Sequence, residues 1–217
     1  PPRSTLFPYT TLFRSSTISS FGVYVKFKEN KFKFLNYNYY DYYGENVWEV
    51  YDYKEELWPR AYTFMTPPNF KDMEFANSSI IIALMNYNDV KKWENTNVEH
   101  RGEEYLEFKK RKAEKVFDLI EKKFSGFQSS IDDFYTSTPL TYRDYTATRN
   151  GSLYGIVRDC REPFSTFIPP RTKIPNLFLT GQNINFHGVL GVTIGSIITC
   201  GELIGINYLI DKIRDNN

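Results

Sequence analysis

Thiol and imidazole chemistry have little to work with in this chain. Its 217 residues include two cysteines, Cys160 and Cys200, and two histidines, His100 and His187. No CxxC and no framework spacing occurs, which speaks against a disulfide scaffold and a structural zinc site and suits a reducing, cytoplasmic compartment. Two histidines are too few for a His-rich metal site, so no metal ligands are assigned. An excess of one charge is also missing. Lys plus Arg total 27 against 26 for Asp plus Glu, which removes the electrostatic footprint of a nucleic-acid binder. There is no G-x-S-x-G, no H-E-x-x-H and no P-loop, and Cys160 has no obvious partner, so hydrolase and kinase chemistry lack their machinery. No charged n-region leads into an apolar h-region, and a secretory leader is not expected.

Aromatic residues are abundant: 17 Tyr and 18 Phe help to make 18% of the chain aromatic, within a hydrophobic total of 41%. That content buries a sizeable core in one or two domains. Aromatics favour strands, and they also line pockets for flat or long apolar ligands. Residues 1–15, PPRSTLFPYTTLFRS, carry the near-duplicate STLF and TTLF and follow neither a helical nor a strand period. They resemble translated sequencing-adapter sequence, with a native irregular arm as the alternative, and are set aside from the fold. On the first reading the chain is the C-terminal part of a longer protein.

From Phe21 the pattern has period two. Residues 21–28 and 31–39 alternate around Glu29-Asn30, which predicts a hairpin with Tyr and Phe on one face and Lys and Asn on the other. Residues 48–57 fit no alternation and read as a short helix. A strand is expected over 61–66, stopped by Pro67-Pro68, and another over 79–85, apolar on both faces. Leu106, Ala113, Phe117, Ile120 and Phe124 recur at helical spacing, which predicts a helix over 99–124 with Gly126 as its C′ residue. The basic run Lys109-Lys110-Arg111-Lys112 is flanked by Glu103, Glu104, Glu107 and Glu114, with Glu107 one turn before Arg111; it reads as a solvated face. Residues 127–135 form a further strand. Thr138 and Pro139 supply the N-cap and first position of a helix that breaks at Asn150-Gly151. Residues 151–175 are loop-rich, with four prolines.

The best-marked stretch is 173–192. A short apolar strand, Leu177–Leu179, is set up by Pro175 and ends at Gly181; a turn with Gly188 and Gly191 follows, and then a long apolar helix. Strand, glycine turn and helix together present bare amides and a positive helix end to an anionic or electron-rich ligand. Residues 189–210, nearly uncharged except for Glu202, are long enough to span a bilayer. Their four glycines and the preceding tight turn favour a buried helix in a cofactor domain. On a helical wheel Gly191, Gly195, Ile198, Glu202 and Gly205 share one narrow stripe, which brings the helix close to another backbone or to a flat ring. Close packing without a ligand explains the same spacing, and both readings stand. Oxidoreduction on a bound cofactor needs no protein nucleophile and is compatible with all of this.

Four motifs occur in one order: Thr138-Pro-Leu-Thr-Tyr142, Gly151-Ser-Leu-Tyr-Gly155, residues 171–183 reading RTKIPNLFLTGQN, and His187-Gly-Val-Leu-Gly-Val192. With them the chain from Thr136 onward resembles the C-terminal part of the phytoene desaturase, carotenoid isomerase and retinol saturase family of FAD-dependent oxidoreductases. Residues 16–135 resemble that family diffusely. The resemblance implies an α/β fold: the C-terminal portion of a two-domain, Rossmann-like FAD/NAD(P)-binding flavoprotein. A mixed-sheet substrate domain would occupy 16–137, and the last strand and helix of the FAD domain 138–217. It further implies FAD as cofactor, with NAD(P) as an electron partner of the full-length protein. Gly181, Gln182 and Asn183 would lie by the ribityl or pyrophosphate, and Gly188, Val189, Leu190, Gly191 and Val192 along the isoalloxazine. His187 is the one titratable side chain beside that turn; contact with substrate or flavin and a structural, hydrogen-bonded turn role are both open to it. No catalytic acid or base is assigned.

The implied activity is desaturation or saturation of C–C bonds in a polyene lipid, with peripheral contact at the inner face of a membrane. Flavin-dependent cis-trans isomerisation and a non-catalytic, aromatic-rich lipid- or glycan-binding module are the rivals. One departure stands out. The family's GxGxxG dinucleotide fingerprint occurs nowhere in these 217 residues, so this chain alone is expected to hold FAD weakly and to be inactive.

Overall fold

A computed structural model describes residues 16–215 other than 45, 48, 49, 51, 70–72, 159, 160 and 162–166. Cys160 and the segment 1–15 lie outside the described residues. The chain divides into two compact units, Ile18–Leu153 and Tyr154–Asn217 together with the N-terminal segment to Thr17. The boundary falls at 153/154, not at 137/138, so the helix that begins at Pro139 groups with the sheet.

The first unit is a five-stranded sheet built from β1 (Ser19–Phe27), β2 (Tyr39–Tyr42), β3 (Ala61–Met65), β4 (Ser78–Met85) and β5 (Ile131–Ser137). Its order is β2-β3-β4-β1-β5, and every pairing is antiparallel, where a mixed sheet was expected. The expected hairpin around Glu29-Asn30 does not form. Both edges of β1 are taken by β4 and β5, so the chain after Asn30 has no partner edge there. It meets residues 74–76 instead, through the bridge Lys33–Phe75 and the bond from Ala76 N–H to Phe32 O. Of residues 48–57, three (48, 49 and 51) lie outside the described residues, and the last three, Glu55–Leu57, form a 3-10 turn.

Period two decides what each face of the sheet does. Phe21, Val23, Val25 and Phe27 of β1, Phe64 of β3, and Ile81, Ala83 and Met85 of β4 all enter the core. Burying side chains of this size contributes roughly 1.5–3 kcal/mol each. Tyr24 falls on the opposite face with Lys26, not with the phenylalanines, and β4 is buried on one face only, its alternate residues being half-buried.

The core face is covered by α1 (Glu103–Glu121), shorter at both ends than its apolar period suggests. Its buried side is Tyr105, Phe108, Lys112, Ala113, Val116, Phe117 and Ile120, while Leu106 points outward at 53% exposure. The basic run is therefore not one solvated face. The Lys112 side chain is 2% exposed, with Nζ 2.9 Å from the Glu55 carboxylate and 4.2 Å from the centroid of the Trp58 ring. The i,i+4 ion pair on the outer face is Lys110–Glu114, at 3.9 Å. Gly126 adopts φ +87° five residues beyond the last residue of α1, and the Glu121 carboxylate takes its N–H and that of Gln128, both at 2.7 Å.

One helical turn, α2 (Phe127–Ser130), precedes β5, so the expected strand starts four residues late. Thr138 then caps α3 (Pro139–Thr146) as its sequence predicts, with its side chain accepting from Leu140 N–H in a reciprocal box with Thr141. The chain runs on to Gly151, whose φ is +60°. A Cβ there would lie 2.0 Å from Pro139 O, so only glycine permits this approach.

The second unit is irregular up to α4 (Gly188–Ile204) and α5 (Ile206–Asp215). The expected strand over 177–179 is no more than an isolated bridge, Arg171–Phe178, because its one partner is a neighbouring loop. The expected single buried helix is instead two helices bent by 119° at Gly205, where φ is +92°. None of their described residues is buried; Val189 and Leu190 are 90% and 74% exposed. No single described helix is long and apolar enough to cross a membrane, although the bent pair passes by length and composition.

Candidate functional site

Two regions are candidates, one in each unit. In the first unit, the sheet face turned away from α1 carries Tyr24 on β1, Met65 on β3, and Ile80, Ile82 and Leu84 on β4. All five are half-buried, and none belongs to the core or packs against it. Toward one edge the face continues into Tyr40 and Tyr42, about half exposed; toward the other it continues into Tyr135, 70% exposed. Tyr24 and Tyr135 stack with ring centroids 4.9 Å apart. An apolar, aromatic-bordered face of this extent is a binding surface by composition.

A polar island sits beside it. Tyr142 of α3 accepts hydrogen bonds from Ser20 Oγ at 3.2 Å and Ser137 Oγ at 3.1 Å. Burial pushes its phenol pKa up. Gly22 makes the room: a Cβ there would lie 2.6 Å from Ser137 Oγ, 3.1 Å from the Tyr142 hydroxyl and 3.2 Å from that of Tyr24. Of this group only Tyr142 falls in a motif quoted from the sequence. Ser20 is 122 residues from Tyr142, and no local pattern joins them.

In the second unit, Gly181 and Gly188 both take positive φ, +103° and +74°, and bound the turn that carries Gln182 and Asn183. Gly155, at φ +73°, lies so close to Asn183 that a Cβ would sit 2.6 Å from the Asn183 carbonyl oxygen. Asn183 Oδ1 is buried without a hydrogen-bond partner. His187 occupies the N-cap of α4 but does not cap it with its side chain; its ring packs on Tyr154 at 4.4 Å between centroids. The first turn of α4, with Val189, Leu190, Gly191 and Val192, is exposed or half-buried. The small-residue stripe lies against the turn itself. A Cβ on Gly191 would meet Phe186 at 2.9 Å, and Gly195 and Ile198 line a small cavity with Thr180, Gly181 and Ile184. Glu202 pairs with Arg171 at 2.9 Å. Close packing accounts for Gly191, whereas a Cβ on Gly195 or Gly205 would meet nothing within 4 Å.

A cavity of about 710 Å³ opens at the start of α1, lined by His100, Arg101, Tyr105, Lys109, Thr141 and Tyr145 among others. The Arg101 guanidinium is committed to Asp144, Thr96 and the Trp93 carbonyl. Burial, followed by the charge of Arg101, lowers the pKa of Lys109. Among the described residues no cluster of His, Cys, Asp and Glu suits a metal.

No family model matches the chain. The curated proteins similar to it are reductases of a retinoid. It is 26% identical over 183 residues to the all-trans-retinol 13,14-reductase of Danio rerio, covering 77% of this chain and 30% of that protein. To the enzyme of the same name from Homo sapiens it is 24% identical over 155 residues, 70% of this chain and 25% of that protein. It is also 28% identical over 127 residues to an inactive all-trans-retinol 13,14-reductase of Danio rerio, 55% of this chain and 20% of that one. All three are named for a reaction on a retinoid polyene, and the likeness to them agrees with the resemblance that the C-terminal motifs carry. The chain spans about 25 to 30% of the length of the first relatives it matches.

Proposed function

We propose that this chain forms part of an FAD-dependent oxidoreductase that acts on C–C bonds of a retinoid-like polyene. The observation that carries the reading is the sheet face opposite α1. A conjugated chain is long, flat and apolar, and Ile80, Ile82, Leu84 and Met65 between Tyr24 and Tyr40 form a wall of that character. The names of the relatives supply the substrate class.

The turn around Gly181–Val192 supports the flavin. Asn183 Oδ1 lacks a donor, the first turn of α4 has no side-chain cap, and the two positive-φ glycines keep bulk away from the approach. These features fit a group with hydroxyl donors on one arm and a negative edge on the other. Asn183 and Gln182 would take the ribityl or pyrophosphate arm, and the α4 N-terminus would face the electron-rich ring edge, stabilising negative charge through its dipole. FAD, when bound, supplies hydride equivalents. The residues of the chain orient and exclude water; none is assigned as acid or base, and His187 keeps its structural packing on Tyr154.

Desaturation against saturation, and isomerisation on reduced flavin, share these groups. The relatives' names favour saturation. The reading is tested by titrating the 217-residue chain with all-trans-retinol and following retinol fluorescence. Saturable binding supports it, and strictly linear, non-saturating signal opposes it.

A further inference from the structure

We propose that the hydroxyl cluster over Gly22 is a subsite for the oxygen-bearing end of the polyene, so that this sheet selects an alcohol-terminated polyene over a hydrocarbon one. The inference rests on the polyene reading above and names which end of the ligand lies where.

Three hydroxyls, from Ser137, Tyr142 and Tyr24, border the space that a side chain at position 22 would fill, and Ser20 joins them through its bond to Tyr142. A core position that wanted only packing would be filled by an aliphatic side chain. The donors can be counted. Ser20 and Ser137 both donate to the Tyr142 oxygen, which has two lone pairs and is then saturated as an acceptor. The phenol protons of Tyr142 and Tyr24 are then the donors at this spot, their oxygens 3.1 and 3.2 Å from the position of a Cβ on Gly22, and the Tyr24 ring forms part of the apolar face, stacked on Tyr135. Ser20 and Ser137 are buried, whereas Tyr24 and Tyr142 are half-buried, so the hydrogen bonds run from the interior outward to Tyr142. Hydrogen bonds in series polarise one another, which strengthens the Tyr142 O–H as a donor. The apolar strip of Ile80, Ile82 and Leu84 is on β4, directly next to β1 in register. A polyene lying on that strip with its oxygen at Tyr24 satisfies the donor, while a hydrocarbon leaves it unpaired.

The test compares two ligands and two variants on the whole 217-residue chain. All-trans-retinol and the hydrocarbon with CH3 in place of its CH2OH are each titrated against the unaltered chain, Tyr24→Phe and Tyr142→Phe. Retinol should bind roughly tenfold more tightly than the hydrocarbon to the unaltered chain, and Tyr24→Phe should remove that advantage while hydrocarbon binding stays the same. Tyr142→Phe should give an intermediate loss for retinol alone, because it removes one phenol beside Gly22 and leaves Tyr24, the one that also forms part of the apolar face. Unchanged hydrocarbon binding also shows that each variant is folded. Equal affinity of the two ligands for the unaltered chain, or equal losses for both in Tyr24→Phe, overturns this subsite and leaves the polyene reading standing. Absence of saturable binding by either ligand overturns both.

Discussion

Tyr24 and Tyr135 stack at 4.9 Å from neighbouring strands on the face of the sheet that α1 does not cover. Tyr135 is 70% exposed, so the pair is not there to fill the core. A cross-strand aromatic pair stabilises a sheet by about 0.5–1 kcal/mol. Tyr135→Ser should therefore lower stability by no more than about 1 kcal/mol in chemical denaturation, yet weaken retinol binding roughly fivefold by removing one border of the ligand wall. A large stability loss with unchanged binding would make the pair structural.

Lys112 separates the cost of a buried charge from the value of a long apolar stem. Burial lowers its ammonium pKa, with Glu55 acting in the opposite direction. Its side chain, stem included, is 2% exposed, with the ammonium over the Trp58 ring. Removing the amine leaves Glu55 comfortable, since that side chain is 53% exposed. Lys112→Met should stay within about 1 kcal/mol of the unaltered chain, whereas Lys112→Ala, which loses the stem, should cost about 2 kcal/mol. Urea midpoints for the two variants check this; equal losses would assign the stability to the charge.

A pH signature is expected from Glu121. Hydrogen bonds from the backbone of Gln128 and then Gly126 hold its carboxyl below its ordinary value of 4.5. A depressed carboxylate contributes stability that is present above the unfolded value and lost as pH falls through the native one. Glu121→Gln should thus destabilise the chain at neutral pH, by a small amount because the group is exposed, and the difference should close toward about pH 2. Thermal midpoints of both proteins across that range decide it. A gap that stays constant with pH would mean that the charge is irrelevant.

Flavin retention gives a further check. With no GxGxxG anywhere in its 217 residues, the chain offers Asn183 and the α4 N-terminus but no dinucleotide loop for the ADP end of FAD. Purified protein should show flavin absorbance well below one equivalent, with added FAD lost on gel filtration. Stoichiometric, tightly held flavin would show that the cofactor is gripped by residues other than these.

What could be read in the sequence was local chemistry. Thr138 and Pro139 announce α3 because an N-cap and its first position are adjacent residues. The spacing of Gly191, Gly195, Ile198, Glu202 and Gly205 marks one stripe because a helix repeats itself, but of its glycines only Gly191 is closely packed. Pairing was not legible. The turn at Glu29-Asn30 looked like a hairpin, but β1 is claimed by strands some 55 and 110 residues away along the chain, and that competition has no local trace. The basic run 109–112 concealed Lys112, whose burial depends on Glu55 and Trp58 from a separate segment. Of the candidate site, the Gly181–Val192 turn was visible through its glycines. The hydroxyl cluster was not, since Ser20, Gly22, Ser137 and Tyr142 converge only after the sheet forms.

The most direct measurement asks where a polyene sits. Ile80→Thr with Ile82→Thr keeps β-branched residues on the half-buried face of β4 but removes apolar surface, while Leu106→Thr does the same on the outward side of α1. All-trans-retinol titrated against the three proteins should bind the unaltered chain and Leu106→Thr alike, and the double variant at least roughly tenfold more weakly. Equal binding to all three, or a loss confined to Leu106→Thr, would contradict a polyene site on this face.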